Sequence, residues 1–337
     1  MKYSVFIVFV LCVLGLSGTV CAQINTISPT EINVSMLPEN PGPNQPVSIS
    51  LTSFATDINN ANITWKIDGK TQKQGIGEKA FSFTAGAMGK ETRIDITAVT
   101  AEGETINKTV VINPSTVDLI WQSDGFVPPF YKGKSLFSHQ DRVTVIALPH
   151  ITSGGGELSA KNLVYKWKNN DNVMEASSGY GKNSYTFDAS LISRPVDIEV
   201  DITSPDTGDT AVTDITLSPI DPSIVFYQKN PLYGIEFQKA LTGTVFLDSS
   251  KEITVTAMPF YFGAVSPSSS NLTYTWSING SPVNNTSSQT EVFRQKEGTS
   301  GASNISLSIE NSSKILQSAS ESFNLLFGAT NNVQPSL

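Results

Sequence analysis

The two histidines of the chain are the side chains best suited to general acid–base catalysis near neutral pH. His139, in LFSHQDR, stands just before an alternating apolar run, and His150, in ALPHITSGGG, stands just after it. If that run is an extended strand, the two imidazoles lie about 35 Å apart. They then cannot share a site, so we predict two ordinary surface histidines and no catalytic residues.

A group of acidic residues could bind a cation through oxygen. Asp201, Asp206 and Asp209 surround a turn in DITSPDTGD, and with backbone carbonyls they could hold a calcium ion. The spacing is not that of a recognised calcium loop, and Asp and Gly are also the residues that hairpin turns use. We predict a turn, with calcium as the weaker alternative, no other metal site and no cofactor.

Glycoside hydrolysis would need two carboxylates that flank a cleft. The acidic residues are instead scattered along alternating segments such as RIDITAV and DIEVDI. No nucleophile, base and orienting group can be named together. The sequence therefore favours a protein that is not an enzyme, and a secreted hydrolase is the third-ranked alternative.

One aromatic segment is the best candidate for an interaction surface. It is GFVPPFYKGKSLF, residues 125–137, and its candidate binding residues are Phe126, Phe130, Tyr131 and Lys132. Exposed aromatic side chains of this kind anchor partner proteins or sugar rings. The alternative is that they cover the open end of a β-domain at a proline break. A related aromatic segment, NPLYGIEFQKAL, occurs about one hundred residues later.

These residues must be positioned by a pattern that occurs three times. Trp65, Trp167 and Trp276 each stand in a strand-like run that ends at a polar turn, and an alternating strand precedes each run. Those preceding strands begin at Val47, Val143 and Ile253. A further strand begins 29 positions after each tryptophan, at Ile94, Val196 and Ile305. This constant register predicts three copies of one folding unit.

The phrases INPSTVDLIW and IDPSIVFYQK, each with one proline (Pro114 and Pro222), mark where a new copy begins. The chain of 337 residues has room for two or three domains, and its charged fraction of 15% suits strands and turns better than charged helices. We predict an all-β chain of three tandem sandwiches. Because the linkers are short, we expect a semi-rigid rod.

Some seven short strands per copy, with a tryptophan on the third, resemble the immunoglobulin-like β-sandwich, especially the PKD-like domains of bacterial extracellular proteins. The resemblance covers residues 24–330. It implies a component of the cell envelope or of a surface appendage, with the tryptophans packed on aliphatic side chains in place of a disulfide. The predicted divisions are a signal peptide at 1–22, immunoglobulin-like domains at 24–113, 114–221 and 222–330, and a disordered tail at 331–337.

The N-terminal segment has the pattern of a secretory signal, with Lys2, an apolar run and a small-residue exit ending at Ala22. Retention as a membrane anchor is the alternative, and lipid attachment at Cys21 is a weaker one. Both cysteines, Cys12 and Cys21, lie in this segment. After cleavage the chain therefore has no disulfide, and membrane contact occurs only if the segment is kept.

The net charge of −8, without a basic stripe, excludes nucleic acid as an expected partner. We predict an exported protein, periplasmic, on the cell surface or extracellular, that serves as an interaction or spacer rod. Its expected partner is an envelope or surface protein, with a glycan as the alternative. The second-ranked function is that of a carbohydrate-binding accessory protein.

Overall fold

The computed structural model describes residues 32–54, 56–153, 156–192, 194–247, 251–283 and 287–328. The predicted signal peptide and the predicted tail lie outside these residues. In the described part the chain is all-β, as predicted, and its helical content is two three-residue 3₁₀ turns, Ala160–Asn162 and Glu175–Ser177. No helix among the described residues has the length and apolarity to cross a membrane. The chain forms two compact units, one with the first sandwich and one with the second and third.

The first sandwich pairs a three-stranded sheet, β1-β2-β5, with a four-stranded sheet, β4-β3-β6-β7, and all pairs are antiparallel. Its strands are β1 (Asn33–Leu37), β2 (Pro46–Thr52), β3 (Asn62–Ile67), β4 (Lys70–Ile76), β5 (Ala80–Thr84), β6 (Thr92–Val99) and β7 (Thr105–Ile112). Strict alternation along β2 turns Val47, Ile49 and Leu51 into the core.

The second sandwich repeats this arrangement, with the sheets β15-β9-β8 and β13-β12-β16-β17; β14 also pairs with β12, and a small β10-β11 hairpin is added. Its strands are β8 (Thr116–Ser123), β9 (Arg142–His150), β10 (Thr152–Ser153), β11 (Gly156–Glu157), β12 (Val164–Asn169), β13 (Asn172–Val173), β14 (Gly179–Tyr180), β15 (Ser184–Asp188), β16 (Val196–Thr203) and β17 (Thr210–Leu217).

The third sandwich consists of the sheets β19-β18-β21-β24 and β20-β26-β25-β22-β23, and the one parallel pair among its described residues is β20 with β26. Its strands are β18 (Ser223–Asn230), β19 (Gly234–Ala240), β20 (Thr244–Phe246), β21 (Glu252–Phe260), β22 (Leu272–Ile278), β23 (Ser281–Pro282), β24 (Thr290–Arg294), β25 (Gly301–Asn311) and β26 (Ser318–Phe327). The strands predicted to begin at Ile94 and Ile305 start earlier, at Thr92 and Gly301, because the polar residues before them also pair.

The three repeated tryptophans are fully buried and make the same hydrogen bond in each sandwich. The indole Nε1 donates at 2.8–2.9 Å to the carbonyl two residues before β5, β15 or β24, from Trp65 to Glu78, from Trp167 to Lys182 and from Trp276 to Ser288. A buried indole N–H needs such an acceptor. The bond therefore ties the centre of one sheet to the edge of the other.

The prediction that the tryptophans pack on aliphatic side chains is wrong in one respect. Each indole lies 5.4–6.0 Å from an aromatic ring on the edge strand, namely Phe81 for Trp65, Tyr185 for Trp167 and Phe293 for Trp276. Strand alternation turns these rings toward the indoles. The disulfide of antibody domains joins the strands that correspond to β2 and β6, where the first sandwich has buried aliphatic residues such as Ile49 and Ile96.

The turn after each tryptophan strand is also repeated. Asp68, Asn170 and Asn279 have positive φ values of 47°, 46° and 50°, which suit Asp and Asn better than most residues. In each case the side-chain Oδ1 accepts the backbone N–H of the neighbouring long strand, at Arg93, Asp197 and Asn304, over 2.8–3.1 Å. One local sequence signal thus anchors the long strand near its start, at its second residue in the first two copies and at its fourth residue in the third.

Candidate functional site: the junction of the second and third sandwiches

The predicted interaction segment, residues 125–137, leaves β8 and runs onto the third sandwich. Gly125 forms an antiparallel bridge with Gly263. The N–H of Phe126 donates to the carbonyl of Phe262, and the N–H of Tyr261 donates to the carbonyl of Phe126, both at 2.7 Å. Backbone pairing therefore continues from one sandwich into the next, which fixes the segment more firmly than side chains alone would.

Tyr131 covers an aromatic face of the third sandwich. Its ring centre lies 5.7 Å from that of Phe260 and 6.3 Å from that of Tyr261, and the two tyrosine hydroxyls are 2.6 Å apart. Val255 and Ala257 face the core, so strand alternation places Phe260 on the outer face of β21. Phe260 is nevertheless only 8% exposed, and its ring contacts Tyr131. Burial, together with the hydrogen bond to Tyr131, raises the pKa of Tyr261 to about 12.

Phe130 lies beside this contact but remains accessible. Its ring approaches Phe237 at 6.4 Å, and Phe237 in turn approaches Tyr227 at 5.2 Å, yet Phe130 is 89% exposed. Its φ of 66° is uncommon for a bulky residue. Lys132 is exposed. Of the four predicted binding residues, Phe126 and Tyr131 thus make contacts within the chain, and Phe130 and Lys132 face solvent.

A buried polar network closes the other side of the junction. The carboxylate of Asp141, which is fully buried, accepts hydrogen bonds from Lys314 Nζ at 2.8 Å, Gln317 Nε2 at 2.6 Å and the N–H of Ser138 at 2.7 Å. Lys314 Nζ also lies 3.4 Å from Oδ2 of Asp124. The side chains of Asp141, Lys314 and Gln317 thus each have a partner, as buried polar groups require, whereas the buried hydroxyl of Ser138 has none among the described residues.

Gln317 joins this network to the backbone of both sandwiches. Its Nε2 donates to the carbonyl of His139 at 2.6 Å, and its Oε1 accepts the N–H of Gly263 at 3.0 Å. A Cβ on Gly263 would overlap Lys314 Nζ and Asp141 Oδ1. Glycine is thus required at this position for close approach. Burial raises the pKa of Asp141, an effect that its hydrogen bonds and the charge of Lys314 only partly offset.

The two histidines lie apart, as the sequence predicted, although β9 continues through His150. The prediction of a surface histidine is wrong for His139, whose side chain is only 12% exposed and whose Nδ1 lies 3.0 Å from the carbonyl of Leu191. His150 lies between two carboxylates, 2.9 Å from Glu157 and 3.4 Å from Asp118. The two histidines therefore have different partners and do not form a common site.

The three aspartates of the weak calcium candidate are engaged separately. Asp201 lies on β16, 3.3 Å from the ammonium of Lys168. Asp209 accepts a hydrogen bond from Asn113 Nδ2 at 2.7 Å, and Asp206 lies exposed in the turn. Among the described residues, no group of three His, Cys, Asp or Glu side chains is arranged to hold a metal ion.

The described part of the third sandwich also contains a cavity of about 280 Å³ between its two sheets. Its lining includes Leu247, Phe293, Ile305, Leu325 and Phe327, together with Arg294 and Lys296. No residue of this lining was a candidate in the sequence. Strand alternation predicts that these apolar residues are buried, but it does not show that the sheets separate here.

Sequence reasoning also missed Asp141, Lys314 and Gln317. They stand in polar segments, SHQDR and ENSSKILQ, that resemble ordinary turns. The Asp141–Lys314 pair spans 173 positions, and no local signal connects two residues at such a distance. The repeat pattern shows where the second sandwich is joined to the third and could have indicated this region. It could not have indicated that Asp141 pairs with Lys314.

The strand pairing defines the class of protein: tandem β-sandwich domains of the immunoglobulin-like and fibronectin-III-like kind. No family model matches the sequence, and no curated protein matches it. Among solved structures, the fibronectin(III)-like modules of Clostridium thermocellum CbhA are 12% identical with a TM-score of 0.27, covering 56% of this chain and 94% of that one.

Two other solved structures cover more of the chain. The three N-terminal domains of the bacteriophage RB49 outer capsid protein Hoc are 10% identical, with a TM-score of 0.26 and coverage of 89% and 98%. The central fibronectin-III array of RIM-binding protein is 13% identical, with a TM-score of 0.29 and coverage of 88% and 96%. At these scores the similarities carry no argument about function, and the fold assignment depends on the strand pairing described above.

Proposed function

We propose that the chain is an exported, non-enzymatic protein of the cell envelope, the cell surface or an appendage, whose sandwiches act as interaction or spacer modules. Tandem domains of this class are typical of extracellular and surface proteins. The signal-like sequence at residues 1–22 supports export. The expected partner is an envelope or surface protein, and the proposal assigns no catalytic step and no cofactor.

The observation that carries the proposal is the placement of Phe130. The ring is held at the tip of a turn, in which the N–H of Tyr131 donates to the carbonyl of Pro128 at 3.3 Å. A positive φ at a phenylalanine is a cost that persists only where the surroundings enforce it, and such positions cluster at binding sites. An exposed aromatic ring on a fixed support is also the usual form of an interface anchor.

Substitution of Phe130 separates binding from stability. Phe130→Gly removes the ring and introduces the residue that best suits the positive φ, so we expect the free energy of unfolding to change by less than about 1 kcal/mol. Binding of the purified chain to envelope fractions of the producing cells, measured by sedimentation with the fractions, should fall about tenfold. Val265→Ser, which alters another exposed apolar residue, is the matched control and should bind as the unaltered chain does. Equal binding by Phe130→Gly would refute the role of this residue.

Carbohydrate binding is the second candidate, favoured by the run of neighbouring rings from Phe130 through Phe237 to Tyr227. Aromatic rings of this kind stack on the apolar faces of sugars. A glycan array probed with the purified chain tests this function. Signals that disappear in both Phe130→Gly and Phe237→Ala would support it, whereas a blank array together with binding to protein in envelope fractions would support the first candidate.

A further inference from the structure

The segment that fastens the second sandwich to the third has a counterpart at the far end of the third sandwich. Pro129–Tyr131 and Pro231–Tyr233 both have the sequence proline, large apolar residue, tyrosine, and both follow the first strand of their sandwich. We call them tip segments. The first lies on the next sandwich through Tyr131. In the second, Leu232 and Tyr233 are each 78% exposed.

The second tip segment is held ready for contact. Oδ1 of Asn230 accepts the N–H groups of Leu232 at 2.8 Å and Tyr233 at 3.2 Å. Two large apolar side chains are thus displayed side by side on a fixed turn. Contiguous exposed apolar surface is a feature of protein interaction sites.

The surface of the third sandwich that contacts Tyr131 also has a counterpart, which is exposed, on the first sandwich. Tyr131 is received by Phe260, the third residue after Ala257. In the first sandwich, Leu51 is equivalent to Ala257. The N–H of Leu51 donates to the carbonyl of Lys79, just before β5, and the N–H of Ala257 donates to the carbonyl of Gln289, just before β24. The counterpart of Phe260 is therefore Phe54. Phe260 is 8% exposed, whereas Phe54 is 91% exposed.

The buried ion pair has a counterpart with its signs reversed. Lys251 of the third sandwich is equivalent to Asp141 of the second. The carbonyl of Lys251 accepts the N–H of Gln295, the first residue after β24, and the carbonyl of Asp141 accepts the N–H of Ala189, the first residue after β15. Lys314 lies in the turn between β25 and β26, and the corresponding turn of the first sandwich, between β6 and β7, carries the exposed Glu102. Lys251 of the third sandwich and Glu102 of the first sandwich thus carry opposite charges.

We propose that copies of this chain associate head to tail, with the third sandwich of one copy on the first sandwich of the next. Leu232 and Tyr233 contact Phe54 of the second copy, and Lys251 lies opposite its Glu102. The contact repeats the junction between the second and third sandwiches. Because the two surfaces differ, the association is heterologous and can continue into a linear assembly. The proposal goes beyond the proposed function and does not depend on its partner.

Sedimentation velocity of the full chain over a wide concentration range tests the proposal. We expect species that grow with concentration without a closed end point. Leu232→Ser/Tyr233→Ser and Phe54→Ser should each weaken association at least about tenfold. An equal mixture of these two variants should form a dimer, because each retains the surface that the other lacks.

Charge substitutions identify the paired residues. Lys251→Glu should weaken association, and the double variant Lys251→Glu/Glu102→Lys should restore it. Val265→Ser is the control for a general loss of exposed apolar surface. All variants keep the N-terminal apolar run, so association through that run would be the same in each. A chain that remains monomeric at every concentration, substitutions without effect, or a mixture that gives no dimer would each overturn the proposal.

Discussion

Nζ of Lys314 lies 2.8 Å from Oδ1 of Asp141, although the two residues are 173 positions apart and belong to different sandwiches. The pair is unequal, since Asp141 is fully buried while the Lys314 side chain is 16% exposed and has Asp124 as a second partner. A buried ion pair adds little net stability, but loss of one partner leaves the other charge uncompensated. The pair therefore fixes how the second and third sandwiches meet more than it stabilises either one.

This inequality predicts different costs for the two partners. Lys314→Met leaves the carboxylate of Asp141 buried without a counter-charge and should lower the free energy of unfolding by about 3–5 kcal/mol. Asp141→Asn keeps the shape and leaves Lys314 next to Asp124, so we expect a loss of only about 1–2 kcal/mol. Urea unfolding monitored by tryptophan fluorescence measures both. Equal losses would contradict the unequal burial.

The raised pKa of Asp141 predicts a pH dependence of definite sign. Between the ordinary value of 3.8 and the raised value, the folded state binds a proton that the unfolded state does not. The contribution of this group to stability therefore increases as the pH falls through that window and is constant below it. Asp141→Asn lacks this carboxyl group. The free energy of unfolding of the unaltered chain minus that of the variant should therefore increase as the pH is lowered. A difference that falls would mean that the ion pair outweighs burial.

Gly263 predicts a steric test of the same junction. A methyl group there would overlap the Lys314 ammonium and the Asp141 carboxylate, so the buried ion pair would have to shift. We expect Gly263→Ala to destabilise the chain by about 1–3 kcal/mol. Gly156, where an added Cβ meets nothing within 4 Å, is the matched control, and Gly156→Ala should be neutral. Thermal unfolding of the two variants gives the comparison.

The folded units could be predicted from the sequence because their signals are local and repeated. The interval of 29 residues after Trp65, Trp167 and Trp276 identifies the same two strands in each copy, and the structure pairs those two strands in all three sandwiches. Alternation of apolar residues then assigns the inner face. Burial of the three indoles follows from these two observations.

The junction could not be predicted in the same way. Aromatic composition identified residues 125–137 as a surface of interest, but it could not show that Tyr131 is used within the chain while Phe130 remains exposed. That division depends on where Phe260 and Phe237 lie, more than one hundred residues later. Pairings at such distances are set by the packing of whole sandwiches and leave no periodic pattern.

The repeated turn predicts a graded response to substitution. At Asn170, alanine would have to adopt a φ of 46° and would lose the bond from the N–H of Asp197. Together these effects should cost about 2 kcal/mol. Asn170→Gly accepts the φ and loses only the bond, so it should cost about half as much. Asn172→Ala, a substitution of an exposed asparagine outside the positive-φ region, should have little effect. If Asn170→Gly and Asn170→Ala were equally destabilising in urea unfolding, the backbone conformation would not contribute to the cost. Asn279 has the same geometry, so we expect its glycine variant to be less destabilising than its alanine variant as well.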